Sequence, residues 1–310
     1  MSVAAAAPTQ QVAARFSPAW FSAQLQRYLL HIVVIGLTVA WMVPTIGLLV
    51  SSFRPFDLTK TSGWWTFLTP LQFTLQNYSD VLSQSNLGPA FFNSFMVAVP
   101  ATVIPVTIAA FAAYAFSWMR FPGRNGIFLA LVGLLAVPLQ LTFIPVLGFY
   151  VNRLGWTTDN LTATGIPGLP WLPLWLAHAG YGLPFAIYLL ANFFRALPSD
   201  LFESAEIDGA GTLTVFFRII LPLSVPALAS LVIFQFLWVW NDLLVALIYV
   251  GGAPEVAPLT VNLANLTTSL GQGSNLLTAA AFFSMVVPLI VFLSLQRYFV
   301  RGILAGSVKG

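Results

Sequence analysis

Long apolar runs alternate with short polar segments along most of this chain. A transmembrane helix needs about 20 predominantly apolar residues, and charged residues mark where such a run ends. The gaps between charges predict six membrane spans, at residues 28–52, 91–119, 127–151, 174–194, 223–250 and 276–295. The pattern therefore predicts an all-α integral membrane protein with six transmembrane helices.

Composition supports the membrane class and excludes several others. The chain is 58% hydrophobic and 7% charged, whereas a soluble domain carries about 25% charged residues. The absence of cysteine excludes disulfides and thiolate metal sites, and we expect no metal site. The net charge of +3 is small, and no basic cluster interleaved with aromatic residues indicates binding to nucleic acid.

The distribution of Lys and Arg predicts the orientation of the spans. Cytoplasmic loops carry an excess of these residues. With a cytoplasmic N-terminus, three basic residues lie outside: Arg54, Lys60 and Arg153. Nine lie inside: Arg15, Arg27, Arg120, Arg124, Arg195, Arg218, Arg297, Arg301 and Lys309. We therefore expect a multi-pass protein with both termini in the cytoplasm.

The same charges divide the chain into three parts. Residues 1–27 are predicted to form a cytoplasmic tail and a short interfacial helix around Trp20 and Phe21, without the features of a cleavable signal. Residues 28–300 form the transmembrane domain, and residues 301–310 form a cytoplasmic C-terminal tail.

An acidic stretch, Glu203–Pro222, interrupts the apolar pattern between the fourth and fifth spans. Pro198 and Ser199 end one helix and begin another, and the spacing of Asp200 and Glu203 resembles a capping box. Gly209 marks a sharp turn, because a residue without a Cβ adopts positive φ readily. The cytoplasmic loop 198–222 is thus predicted to be a helix, a turn and a second helix that a partner outside the membrane binds. The alternative is a solvated loop whose acids only maintain solubility.

This stretch resembles the cytoplasmic "EAA" loop of permease subunits in binding-protein-dependent ABC importers. The family pattern is Glu-Ala-Ala, three residues, Gly, nine residues, Ile, one residue and Leu-Pro. The matching residues here are Glu203, Ser204, Ala205, Gly209, Ile219, Leu221 and Pro222. Ser204 in place of the first alanine is the one departure.

Further fragments resemble the carbohydrate branch of that family, over nearly the whole chain after the N-terminal tail. Three of these fragments are Asp208-Gly209-Ala210 with Phe216 and Pro226, Asn93-Ser94, and Phe236–Ala246. The C-terminal tail, Gln296–Gly310, is similar to that of the second permease subunit of maltose-type importers. Ser62–Trp65 and the run Trp238–Ala246 look most like α-glucoside permeases.

The resemblance implies a coupling mechanism and a set of partners. The chain has no phosphate-binding loop around either lysine, so ATP and Mg²⁺ would bind a separate ATPase dimer and no cofactor would bind this chain. A second permease would complete the pore, and an extracytoplasmic sugar-binding protein would deliver the substrate at the bacterial-type plasma (inner) membrane. The implied ATPase-coupling residues are Glu203, Ser204, Ala205, Glu206, Asp208, Gly209, Ala210, Ile219, Leu221 and Pro222; Arg301 and Lys309 are candidate tail contacts.

Trp240, Asn241 and Asp242 are candidates for the translocation path or an outer gate. An acid at membrane depth usually faces a cavity or a partner, and aromatic faces suit a sugar. The alternative is an interfacial aromatic belt with a snorkelling acid. His31 and His178 are expected to be packing or interfacial residues.

Two rival classes remain to be weighed. An intramembrane serine protease requires a Gly-x-Ser-Gly nucleophile, which the chain lacks. A self-contained secondary transporter or channel favours intramembrane charge pairs or repeated halves, neither of which is evident. A maltose-like α-glucoside is the first expectation for the substrate, with trehalose, sucrose, a glucosyl-polyol and glycerol phosphate left open.

Overall fold

The structure is a computed structural model that describes residues 18–84, 87–266 and 274–307. Within these ranges it is helical, and the only β pairing is an isolated bridge between Leu68 and Leu71. The α-helices are α1 (Pro18–Ser52), α2 (Phe56–Thr61), α3 (Gln76–Gln84), α4 (Leu87–Trp118), α5 (Arg124–Gly133), α6 (Gln140–Leu154), α7 (Thr158–Ala163), α8 (Leu172–Arg195), α9 (Asp200–Ile207), α10 (Thr212–Val215), α11 (Leu221–Leu223), α12 (Val225–Trp240), α13 (Leu244–Tyr249), α14 (Leu259–Asn265) and α15 (Ser274–Ser307). The all-α class is confirmed.

The chain divides into two compact units, Met1–Thr74 and Leu75–Gly310. In the first unit, α1 is followed by a folded loop that is centred on one buried cation. The Arg54 guanidinium is 1% exposed and donates hydrogen bonds to Gln72 Oε1 at 2.8 Å and to Ser62 Oγ at 2.6 Å. These bonds satisfy a charge that would otherwise be costly to bury.

In the second unit, α4 packs along α8 and α12 packs against α4 and α15. Apolar side chains form two buried clusters. The first joins α4, α8, α12 and the segment up to α14, and includes Trp171 and Trp240. The second joins the C-terminal halves of α4 and α8 to α9, and to the π-helical turn Phe216–Ile220 that follows α10. The acidic stretch therefore packs directly onto the transmembrane helices.

Four helical segments are long and apolar enough to cross a membrane: Gln24–Ser52, Leu87–Trp118, Leu169–Arg195 and Leu276–Arg297. Two further candidates are bent pairs, so the described residues contain four to six spans. The expected third span, 127–151, is broken: Arg124–Ala136 and Gln140–Leu154 meet at 105°. Pro138 explains the break, because it lacks an N–H and favours extended backbone at Val137, whose φ and ψ are −79° and 120°.

The expected fifth span, 223–250, also differs from a single helix. The segments Thr212–Leu223 and Val225–Trp240 meet at 74°, and α12 ends at Trp240 before a turn leads into α13.

At the N-terminus, α1 is continuous from Pro18, so the boundary expected at residue 27 is not a break between helices. Residues 1–17 lie outside the described residues. At the other end, α15 extends through residues 296–307 rather than stopping at residue 295.

Candidate functional site

The acidic stretch forms the predicted helix, turn and helix. Helix α9 begins at Asp200, immediately after the break at Pro198 and Ser199. The capping box expected from Asp200 and Glu203 does not form, because Asp200 is already the first helical residue; Ser199, which precedes it, makes no side-chain cap hydrogen bond. The acids in the first turn, Asp200 and Glu203, instead lie at the positive end of the helix dipole, which is a favourable position for a carboxylate.

A Schellman turn ends α9 at Gly209. The Ala210 N–H donates to the Ala205 carbonyl at 2.9 Å, and the Gly209 N–H donates to the Glu206 carbonyl at 3.0 Å. Gly209 has φ +72°, the left-handed conformation that this motif requires and that side chains with a Cβ rarely adopt. Nothing in the chain lies within 4 Å of the position that a Cβ would occupy there. The fold therefore requires glycine for its conformation and leaves open space above its backbone.

Apolar contacts hold this helix-turn-helix on the ends of α4 and α8. The Phe202 ring stacks on Trp118 with centroids 3.6 Å apart, and the indole of Trp118 donates to the Phe194 carbonyl at 3.1 Å. Phe216 is 1% exposed and stacks on Phe111 at 4.7 Å. A movement of α9 would therefore be transmitted directly to both transmembrane helices.

The other face of α9 is open to solvent. Glu203, Glu206 and Asp208 are exposed, and Ile207 is 87% exposed between them. An isolated apolar side chain flanked by carboxylates is suited to a groove with a basic rim. Among the other predicted coupling residues, Ser204 and Pro222 are exposed, Ala205 is buried, and Ala210, Ile219 and Leu221 are half-buried against the second apolar cluster.

The structure places Trp240, Asn241 and Asp242 at the C-terminal end of α12. Trp240 is buried, packs edge-to-face on Phe95 at 5.0 Å, and donates its indole N–H to the Ser284 carbonyl at 3.2 Å. Asn241 is exposed and donates to the Leu237 carbonyl at 2.8 Å. The three neighbours therefore differ in their surroundings.

Asp242 organises the turn between α12 and α13. Its carboxylate accepts hydrogen bonds from the N–H groups of Ala246 at 2.9 Å and Val245 at 3.4 Å, which places it as a cap on α13. Its backbone carbonyl accepts from the Thr260 hydroxyl at 2.6 Å. One residue thus connects the end of α12, the start of α13 and α14.

His178 of α8 lies beside this carboxylate, a pairing that sequence reasoning missed. The imidazole is 1% exposed, and its Nε2 lies 3.7 Å from Asp242 Oδ2. Neither ring nitrogen has a hydrogen-bond partner among the described residues. The available signal was the occurrence of a histidine and an aspartate within two otherwise apolar spans.

Asn93 and Ser94 of α4 hold the segment between α13 and α14. The Asn93 amide donates to the carbonyls of Glu255 at 3.0 Å and Ala257 at 3.1 Å, and the Ser94 hydroxyl accepts from the Leu259 N–H at 2.8 Å. Sequence reasoning noted this pair of residues without a role. The contacts give them one, which is to satisfy backbone groups of a non-helical segment.

The remaining candidates lie in the C-terminal tail. Arg301 falls on α15, and Lys309 lies outside the described residues. Among the residues that the structure describes, no three His, Asp or Glu side chains are grouped so that they could hold a metal ion.

Comparison with known proteins identifies the chain's relatives. The family described as "binding-protein-dependent transport system inner membrane component" matches residues 12–305. The chain belongs to this family. It is therefore a membrane permease component, and the resemblance found from the EAA pattern is confirmed.

Several named permeases are similar to this chain, and two of them are more than 50% identical to it. The permease is 55% identical, over 92% of its length and 93% of the relative's, to the "osmoprotective compounds uptake permease protein GgtD" of Synechocystis sp.. It is 54% identical, over 80% of its length and 63% of the relative's, to the "alpha-glucoside transport system permease protein AglG" of Rhizobium meliloti.

A solved structure has a similar fold. It is a crystal structure of a bacterial ABC transporter involved in the import of alginate, with a TM-score of 0.74 and 20% identity, covering 92% of this permease and 99% of that chain. At this identity the likeness concerns the fold alone.

Membership determines the setting of the permease. It works in an inner membrane as a multi-pass component, together with another permease, a separate ATPase and an extracytoplasmic binding protein, as expected from the sequence. It is not itself the ATPase. The alternative of a self-contained transporter or channel is therefore set aside.

Proposed function

We propose that this chain is the permease subunit of an ATP-driven importer for a small α-glucoside, whether a maltose-like disaccharide or a glucosyl-polyol. Family membership supports the importer. The relative that is 54% identical and named for α-glucosides supports the substrate class. ATP and Mg²⁺ bind the partner ATPase, and this chain binds no cofactor.

The coupling step is proposed to act through α9. The observation that carries this proposal is the exposed face of Glu203, Glu206 and Ile207, which lies beside the open backbone of Gly209. In this proposal a cleft of the ATPase receives that face, and a basic residue of the cleft pairs with Glu203. Closure of the ATPase then moves α9 together with α4 and α8, because Phe202 and Phe216 are packed on those helices.

The proposed topology has six spans, with each bent helix pair counted as one span. The loop 198–222 and both termini then lie in the cytoplasm, on the side where nine of the twelve basic residues are found. The Asp242 turn lies toward the opposite side. Asn241 is exposed there, and we propose the segment of Trp240, Asn241 and Asp242 as part of the outer gate.

Purification in mild detergent, followed by mass spectrometry of the associated proteins, tests the assembly. We expect a related permease and an ATPase in about two copies.

The substrate is then tested by ATPase stimulation of the reconstituted complex, with its binding protein loaded with maltose, trehalose, sucrose, a glucosyl-polyol or glycerol phosphate. Stimulation by an α-glucoside supports the proposal, and stimulation by glycerol phosphate alone contradicts the substrate class. A chain that purifies alone and transports without ATP contradicts the importer.

A further inference from the structure

A groove with two arginines at one end lies between α5 and the end of α8. It encloses about 590 Å³. Its polar lining is Arg124, Asn125 and Arg195, and the rest is Phe128, Leu129, Val132 and Tyr188. Arg124, Phe128 and Val132 are spaced four residues apart, so they follow one face of α5 for about 12 Å. The groove is therefore cationic at one end and apolar along its length.

The two guanidinium groups are held in place and are not neutralised. Arg195 lies 4.4 Å from the centre of the Phe128 ring and donates to the Phe116 carbonyl at 3.3 Å. Arg124 donates to the Met119 carbonyl at 3.0 Å. Each guanidinium has five donors, so both retain N–H groups for a ligand.

No carboxylate lines this groove, nor the adjoining cavity of about 360 Å³ beside Arg120 and Arg124. Among the described residues, no ion pair to either Arg124 or Arg195 is found. Two uncompensated cations at one site repel each other, and an anion between them would relieve that repulsion. Charge therefore selects an anionic ligand.

We propose that this groove binds an anionic phospholipid, such as phosphatidylglycerol or cardiolipin, from the cytoplasmic leaflet. The phosphate would lie between the guanidinium groups of Arg124 and Arg195, and an acyl chain would lie along Phe128, Leu129 and Val132. Free phosphate would contact only the arginines and leave the apolar wall of the groove uncovered. A phospholipid would contact the arginines with its phosphate and the apolar wall with an acyl chain. Basic pockets between transmembrane helices on the cytoplasmic side are suited to such head groups.

The position of the site connects the lipid to the coupling region. Arg195 is the last residue of α8, and α9 begins at Asp200. A lipid between α5 and this end of α8 would fix the helix end from which α9 extends. This inference is independent of which substrate is carried.

Lipid binding to the intact transporter tests the proposal. The delipidated complex is titrated with phosphatidylglycerol, phosphatidylcholine or inorganic phosphate, and bound ligand is counted by native mass spectrometry. We expect selective retention of phosphatidylglycerol, with roughly 30-fold weaker binding in the R124Q/R195Q variant. The matched control is K60Q/R153Q, which removes the same charge from exposed residues predicted to lie on the outer side. The proposal is overturned if both variants lose phosphatidylglycerol binding equally, or if the wild-type complex binds phosphatidylcholine as well as phosphatidylglycerol. It is also overturned if inorganic phosphate displaces the lipid with equal affinity, because the site would then bind a soluble anion.

Thiol labelling distinguishes a lipid from a covering subunit. The chain has no cysteine, so Leu129→Cys introduces a single thiol in the groove and Leu141→Cys introduces a single thiol at an exposed position of α6. In the assembled complex, phosphatidylglycerol is expected to slow labelling of Leu129→Cys severalfold and to leave Leu141→Cys unchanged. Protection of Leu129→Cys that does not depend on lipid would show that a partner subunit covers the groove, and would overturn the proposal.

Discussion

At the scale of single residues, Gly209 and Asp242 each have a structural role that depends on the residue type. Gly209 supplies a left-handed turn and an uncovered backbone at the end of α9. Asp242 supplies a cap for α13 and a polar neighbour for buried His178. Each role combines two effects, which are conformation and access at Gly209 and capping and charge at Asp242. Paired substitutions at each position distinguish the two effects.

Substitutions at Gly209 distinguish the need for a left-handed backbone from the need for open space in which a partner can approach that backbone. Asparagine tolerates positive φ, whereas a β-branched residue is strained there by about 1–2 kcal/mol. We expect Gly209→Asn to insert with nearly wild-type thermal stability and Gly209→Val to be less stable. If a partner approaches this backbone, both variants lose uptake, measured with labelled substrate in membranes that contain equal amounts of protein. Normal uptake by Gly209→Asn would show that conformation alone matters.

Substitutions at Asp242 measure the cap. Asp242→Ala removes the acceptor for the N–H groups of Val245 and Ala246, and we expect the free energy of unfolding to fall by about 1–2 kcal/mol. Asp242→Asn keeps one acceptor oxygen and is expected to lose less than half as much. The comparison is made by thermal unfolding of the purified complex. Equal losses in the two variants would show that the charge beside His178, rather than the cap, is what matters.

At the scale of elements, the close contact of α8 with α12 depends on a glycine. A Cβ on Gly182 would lie 2.6 Å from Gln235 Oε1 and 2.8 Å from its Nε2. Gln235 is buried and donates to the Ala101 carbonyl of α4 at 3.2 Å. Three helices therefore meet at one buried amide, and a Cβ on Gly182 would force the end of that side chain to shift beside a cavity of about 300 Å³ that both residues line.

A pair of alanine substitutions on α8 tests this packing. Gly182→Ala is expected to destabilise the protein by about 1–2 kcal/mol, because the end of Gln235 must shift and its hydrogen bond to the Ala101 carbonyl is disturbed. Gly180→Ala, two residues away, has nothing within 4 Å of its Cβ, and is expected to be neutral or stabilising by less than ~1 kcal/mol. Thermal unfolding of both variants under the same conditions gives the difference. Similar stabilities would show that the Gln235 amide shifts without a net loss of hydrogen bonding, and would contradict this prediction.

At the scale of the whole molecule, the proposed coupling uses a surface of the permease that no other part of the described chain covers. The face of α9 is exposed in the chain alone, although α9 is packed on α4 and α8. The proposed coupling therefore requires a partner that binds this face and moves it.

Charge reversal on that face tests the dependence. Glu203→Lys is expected to insert normally but to lower substrate uptake by more than ~10-fold, because it would break the proposed ion pair with the ATPase, and the loss of such a pair in an interface costs several kcal/mol. Asp159→Lys makes the same change in charge at an exposed position of α7, and is expected to transport normally. Uptake and co-purified ATPase are measured together for both variants. Retention of ATPase and uptake by Glu203→Lys would contradict the coupling role.

The sequence by itself determined the membrane class, the approximate apolar segments and the family. These follow from local properties: apolar residues partition into lipid segment by segment, and the EAA pattern from Glu203 to Pro222 lies within a single stretch of chain. The turn at Gly209 was predictable for the same reason, since a Schellman motif involves only neighbouring residues.

Only the tertiary structure decided which side chains meet across helices. The approach of His178 to Asp242, the attachment of Asn93 to the segment before α14, and the joint arginine end formed by Arg124 and Arg195 depend on which helix faces pack together. Nearly uniform apolar spans carry little periodicity to indicate those faces. The sharp bend near Pro138 likewise depends on its surroundings, because a proline within a span can produce a mild kink or a complete break.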